Sequence, residues 1–233
     1  MLVIDVGNTR IEAALIEDFK IRARYEFATD DCRDGFLSAE LRDQRVVLSS
    51  VRDEITELLK AEVGDLLLVE PGIELGIGID YRSMETLGMD RLVVAAAARH
   101  LYGAQACVIA DMGTATTVDY LSSDGTFRGG AILPGVRSGY DGLLKNAPQL
   151  PDVDLSLPAA VIGQDTAACL RSGIVNGHMA MLQGMASMMD SEAQLVVTGG
   201  WSSLITDMLP ESAVWDADLL HKGLYLIGQL NRH

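Results

Sequence analysis

The chain opens on Leu2-Val3-Ile4-Asp5-Val6, an apolar run closed at once by Gly7-Asn8, which predicts a buried strand entering a turn. Ile11–Ile16 and Ile21–Phe27 alternate apolar and polar positions well enough to predict two further strands of a meander. Arg45–Ser49 reads as a strand, Asp53–Glu62 as an amphipathic helix and Leu66–Val69 as another strand. Asp90–His100 is Ala-rich and apolar on most faces, the pattern of a buried helix. The pattern then restarts. Ala106–Asp111 predicts a buried strand ending in Asp111-Met112-Gly113-Thr114, and Thr116–Leu121 and Thr126–Ile132 follow as strands joined at Ser123-Asp124-Gly125, a hairpin signal. Val136–Lys145 and Asp165–Met189 read as helices, the second with Met and Ala along its apolar stripe. Leu195–Thr198 is a late strand running into Gly199-Gly200, and Ala217–Leu230 is a closing helix.

The two Asp-x-Gly turns, at Asp5 and Asp111, lie 106 residues apart and each follows a buried strand. A repeat this long indicates a duplicated domain rather than a solenoid. The expected fold is therefore α/β, with two similar lobes over 1–103 and 104–233 and a ligand cleft between them.

Composition narrows the chemistry. The chain has 233 residues, 48% of them hydrophobic, enough for a sizeable core and too apolar for a disordered chain. Eighteen Lys and Arg against 33 Asp and Glu leave a net charge of -15, the wrong sign for a protein that neutralises nucleic-acid phosphates. The same acidity means that any anionic substrate needs local cations. The first apolar run reaches Asp5 with no basic flank, so no signal peptide is expected. The unbroken apolar run Leu92–Ala98 is far short of the ~20 residues of a membrane span. Cys32, Cys107 and Cys169 form no metal-like spacing and read as buried, reduced thiols of a cytosolic protein. His100, His178, His221 and His233 show no pairing and read as structural or surface residues.

Asp5-Val6-Gly7-Asn8-Thr9 is either a plain hairpin turn or a phosphate cradle. Gly7 permits close backbone approach, Asn8 and Thr9 can donate to phosphate oxygens, and Asp5 could hold a hydrated Mg²⁺. Asp111-Met112-Gly113-Thr114-Ala115-Thr116-Thr117 repeats that chemistry, with Asp111 as a second cation-binding carboxylate. Two such turns in register favour a nucleotide cleft over coincidence. Gly88-Met89-Asp90-Arg91 opens the buried helix. Asp90 is either a cap or a base that takes a proton from a substrate hydroxyl, and Arg91, unfavourable for the helix dipole, suits a carboxylate. Gly129-Gly130 through Pro134-Gly135 suits close packing or ligand approach, Asp165 or Thr166 is an N-cap, and Gly199-Gly200 could let a nucleotide lie against backbone.

Together these pieces resemble the type III pantothenate kinase family, within the acetate kinase, sugar kinase, heat-shock ATPase and actin superfold. Asp5–Thr9, Tyr81, Gly88–Arg91, Asp111–Thr116, Gly129–Gly135, Gly163–Thr166 and Thr198–Gly200 carry the likeness and span nearly the whole chain. The resemblance implies two duplicated ribonuclease H-like lobes, each a mixed sheet with flanking helices, and an interlobe nucleotide cleft. It implies ATP-dependent phosphorylation of pantothenate to 4′-phosphopantothenate, the first step toward coenzyme A, by a cytoplasmic homodimer. Asp5, Val6, Gly7, Asn8, Thr9, Arg10, Ile11, Glu12 and Thr114 would then bind ATP, with Mg²⁺ near Asp5. Tyr81, Gly88, Met89, Asp90, Arg91 and Thr166 would bind pantothenate, with Asp90 as proton acceptor. Asp111 would hold a monovalent cation, K⁺ or NH₄⁺. Glu12 departs from the pattern, since many relatives carry Lys there and a carboxylate does not help hold a phosphate. The alternatives are a kinase of the same superfold acting on another hydroxyl, and a non-catalytic regulator or transcription co-activator on the same fold.

Overall fold

The computed structural model describes residues 1–8, 10–29 and 37–232, so Thr9, Cys32 and His233, singled out above, lie outside the described residues. In chain order the elements are β1 (Leu2–Val6), β2 (Arg10–Glu17), β3 (Lys20–Ala28), α1 (Ala39–Arg42), β4 (Val46–Ser50), α2 (Asp53–Glu62), β5 (Leu66–Leu68), β6 (Gly78–Ile79) and α3 (Met89–Tyr102). There follow β7 (Cys107–Met112), β8 (Ala115–Leu121), β9 (Thr126–Pro134), α4 (Val136–Asn146), α5 (Thr166–Met189), β10 (Gln194–Thr198), β11 (Val214–Trp215) and α6 (Leu219–Leu230).

The expected α/β architecture is present: two mixed sheets with flanking helices. The first sheet runs β3-β2-β1-β4-β5, with an antiparallel meander on one side of β1 and parallel strands on the other. The second runs β11-β10-β7-β8-β9-β6. Read from β9, its first five strands repeat the first sheet's order and strand directions, so the restart seen in the sequence is a repeat of topology. The addition is β6, two residues long and parallel to β9.

Packing divides the chain into two compact units. One comprises Met1–Ile77, Arg82–Ala97 and the closing segment from Leu219; the other comprises Gly78–Tyr81 and Ala98–Asp218. The closing helix is late in sequence but packs on β1, β2 and β4. The reason is geometric. The central strand β1 is paired on both sides and its sheet needs both faces covered. One face, carrying Leu2, Ile4, Val6, Ile11, Ala13, Val46 and Leu48, is covered by Ile55 and Leu59 of α2. Burying Leu59 alone contributes about 1.5–3 kcal/mol. In the second unit, Val108, Ala110, Met112, Val118 and Val197 pack under Val175, Met179 and Leu182 of α5. The Met stripe of α5 is thus core at Met179, Met185 and Met189, while Met188 is 82% exposed.

Two readings of the cysteines separate here. Cys107 is buried in β7, but Cys169, in the first turn of α5, is exposed. The sequence pattern also gave no sign of β6, β11 or α1, which are too short to carry a period.

Candidate active site

In the first unit the turn after β1 is closed by the Gly7 N–H donating to the Arg10 carbonyl at 2.9 Å. Thr29 donates its hydroxyl to the Gly7 carbonyl at 3.2 Å, and Arg52 donates to the Asn8 carbonyl at 3.3 Å. The turn is thereby tied to the end of β3 and to the start of α2. Asp5 is the last polar position of β1 and pairs in register with Glu12 on β2 and Ser49 on β4, so the three side chains leave one face of the sheet. Loss of water lifts the Asp5 carboxyl from its ordinary value to about 7. A hydrogen bond from Ser49 opposes the rise, and the negative charges of Asp90 and Glu12 add to it.

Glu12 accepts an ion pair from Arg10 at 3.3 Å, and Arg10 also reaches Glu26 at 3.3 Å. Arg10, not residue 12, is therefore the cation of this segment. Both pairs are exposed and each stabilises by about 0–1 kcal/mol.

Asp90 and Arg91 fall in the first turn of α3, as the sequence indicated. The Asp90 carboxylate accepts the Arg91 N–H at 2.9 Å. It also curls so closely over Gly88 that a side chain there would strike its Oδ1. Gly88 is thus a requirement of the carboxylate's position. Asp90 is exposed, while Arg91 is 6% exposed. An exposed carboxylate at a helix start, next to a buried guanidinium, can accept a proton and hold an anion side by side.

In the second unit the equivalent turn after β7 is closed by the Gly113 N–H donating to the Ala115 carbonyl at 3.0 Å. Asp111 pairs in register with Thr117 on β8 and Thr198 on β10, so all three project from one face. Gly199 has φ +91, and a Cβ there would collide with the Asp111 carboxylate and the Met112 backbone. The glycine after β10 therefore serves Asp111. The Thr117 hydroxyl oxygen is buried with no hydrogen-bond partner. Carboxylate and hydroxyl oxygens in one row are a donor set suited to a hard cation.

Thr114 is exposed, its carbonyl fixed by the Ser138 hydroxyl at 2.6 Å. Gly135 packs against that carbonyl with no room for a Cβ. Thr116 points to the opposite face from Asp111, where its Oγ1 lies 3.0 Å from Nε2 of His178 on α5. Desolvation holds His178 below its ordinary value. Tyr81 lies with its ring against Gly129 and 6.2 Å from the Phe127 ring. Asp165, not Thr166, is the N-cap of α5, accepting the Ala168 N–H at 2.8 Å, which leaves the exposed Thr166 hydroxyl outside the capping role.

The first unit thus brings Glu12 and Asp90 within electrostatic reach of Asp5, and the second unit sets Thr114 in the turn that follows Asp111. Sequence reading missed Ser49 and Arg52, and placed Thr117 in the Asp111 turn motif without setting it opposite Asp111. Ser49 ends an apolar strand run and could have been found as its one hydroxyl facing Asp5; Arg52 gave no signal, because its role depends on chain far from the turn.

A family model described as type III pantothenate kinase matches residues 1–188. The type III pantothenate kinase of Zymomonas mobilis subsp. mobilis is 35% identical, over 97% of this chain and 91% of that protein. Among solved structures, a protein of Campylobacter jejuni assigned to the Baf family of transcriptional activators superposes with TM-score 0.70 at 23% identity, covering 99% of this chain and 98% of that one. A protein of Sinorhizobium meliloti assigned as a 2-dehydro-3-deoxygalactonokinase does so with TM-score 0.58 at 15% identity, covering 98% of each. These two likenesses carry the fold; the family rests on the match over most of the chain and on the 35% identity. On those two grounds, the chain belongs to the type III pantothenate kinase family.

Proposed function

We propose that this protein transfers the γ-phosphoryl group of ATP to the primary hydroxyl of pantothenate, giving 4′-phosphopantothenate, the first step of coenzyme A synthesis. The observation that carries the chemistry is Asp90: an exposed carboxylate in the first turn of α3, close enough to Asp5 of the phosphate turn to raise its affinity for a proton. Phosphoryl transfer asks mainly for positioning and charge neutralisation, so one base and several fixed cations and donors suffice.

In this reading Asp90 accepts the proton of the attacking hydroxyl, and Arg91 pairs with the pantothenate carboxylate. Gly88, Met89, Tyr81 and Thr166 complete the pantothenate contacts. Asp5 through Glu12 and Thr114 contact ATP, with Arg10 as the side-chain cation of the first turn. Asp5 suits Mg²⁺ through water, since its carboxylate is fixed by Ser49 and hard cations take oxygen donors. Asp111, the carboxylate that precedes the turn after β7, suits K⁺ or NH₄⁺. When bound, these cations supply charge neutralisation at the phosphate oxygens.

We assign the working form as a cytoplasmic homodimer. Val161 and Ile162, 75% and 82% exposed, and Leu157, 46% exposed, precede Thr166, and an apolar surface next to a substrate residue suits a second copy of the chain. The regulator reading is not favoured: Asp5, Asp90 and Asp111 are all retained, and a binding module has no use for three such carboxylates. A substrate panel of pantothenate and simple sugars, read by mass of the phosphorylated product, tests the choice. Phosphopantothenate alone supports it, and a phosphorylated sugar with pantothenate untouched refutes it.

A further inference from the structure

We propose that the hydroxyl of Thr117 is a ligand of the monovalent cation assigned to Asp111. The inference rests on that assignment and adds a second side chain to the seat.

Asp111 and Thr117 are directly opposite each other in the antiparallel pair β7–β8, so their side chains leave the same face as neighbours. Thr198 flanks Asp111 from β10 in the same row. Within this row the Thr117 Oγ1 is buried and makes no hydrogen bond. A buried hydroxyl without a partner is costly, and valine would fill the same volume on a strand without that cost. The partner is therefore supplied from outside the chain. It is not His178, whose imidazole meets Thr116 on the other face of β8. On the Asp111 face, Gly199 keeps its own position bare at φ +91, and any Cβ there would press on the carboxylate. A hydroxyl oxygen has two lone pairs to offer. Beside a carboxylate it makes an all-oxygen seat for a hard cation rather than for a soft metal.

The test is the melting temperature of the whole protein against KCl, at constant ionic strength held with tetramethylammonium chloride and without nucleotide or pantothenate. The parent is expected to be stabilised by KCl with a definable midpoint. Thr117→Val should raise that midpoint at least tenfold while melting no lower than the parent without KCl, and Thr117→Ser should keep the parental midpoint. Asp111→Asn should abolish the response. A Thr117→Val protein that responds at the parental midpoint, with Asp111→Asn unresponsive, overturns the role of Thr117 and leaves Asp111 as the cation residue. A parent indifferent to KCl overturns both assignments. If the valine variant does not fold, Thr117→Ala carries the same expectation and the same refutation.

Discussion

Asp90, at the start of α3, lies near enough to Asp5, at the end of β1, for its negative charge to add to desolvation in lifting the Asp5 carboxyl to about 7. A desolvated carboxylate with a second negative charge near it is a place that a bound cation would stabilise. A chain of net charge -15 that handles ATP needs such places, because bulk charge repels the substrate.

Replacing the base should separate chemistry from binding. Asp90→Asn is expected to lower kcat by about 10²-fold or more, the usual worth of a general base, with ATP affinity largely kept. Steady-state kinetics and nucleotide titration of the variant check this. Turnover near the parental value would remove Asp90 from the proton-transfer role.

The raised Asp5 carboxyl makes stability depend on pH. Between about pH 4 and 7 the folded protein holds a proton at Asp5 that the unfolded chain has released, so this residue's contribution falls as pH rises through that window and levels off above it. The slope is at most on the order of 1.4 kcal/mol per pH unit. Asp5→Asn lacks the titration, so its stability relative to the parent should climb from pH 4 to 7. Urea unfolding of both proteins at several pH values reads the difference; parallel curves would show that Asp5 ionises normally.

Thr116 and His178 form a buried pair in the second unit. With its affinity for protons lowered by burial, His178 is neutral when folded, and stability should fall as pH drops below the ordinary His value near 6.5. Thr116→Val leaves the imidazole without this bond and should cost about 1–3 kcal/mol. The double variant with His178→Leu should recover much of that loss. A urea midpoint unchanged in Thr116→Val would show the bond to be idle.

Much of this was legible in the chain. Helix α2 falls over the predicted Asp53–Glu62, because its amphipathic period and acidic first turn are local signals. The duplicated turns after β1 and β7 were visible as paired Asp-x-Gly, and the shared strand order of the two sheets matches them. What stayed hidden depends on pairing. Thr117 and Ser49 are ordinary strand residues until registers set them opposite Asp111 and Asp5. The attachment of α6 to the first unit was also hidden, since helix period marks an apolar face and not the sheet that will cover it.

The exposed apolar segment before α5 offers a test of assembly. Val161→Asp with Ile162→Asp should shift the protein from dimer to monomer in analytical ultracentrifugation. A monomeric parent, or a dimer indifferent to both charges, would place the interface elsewhere.

The central claim is settled most directly by ADP release with ATP and Mg²⁺ present, measured with and without pantothenate, in KCl and again with K⁺ and NH₄⁺ both replaced. The account predicts release that requires pantothenate, rises with K⁺ and collapses in Asp90→Asn. Release indifferent to pantothenate under every condition would contradict it.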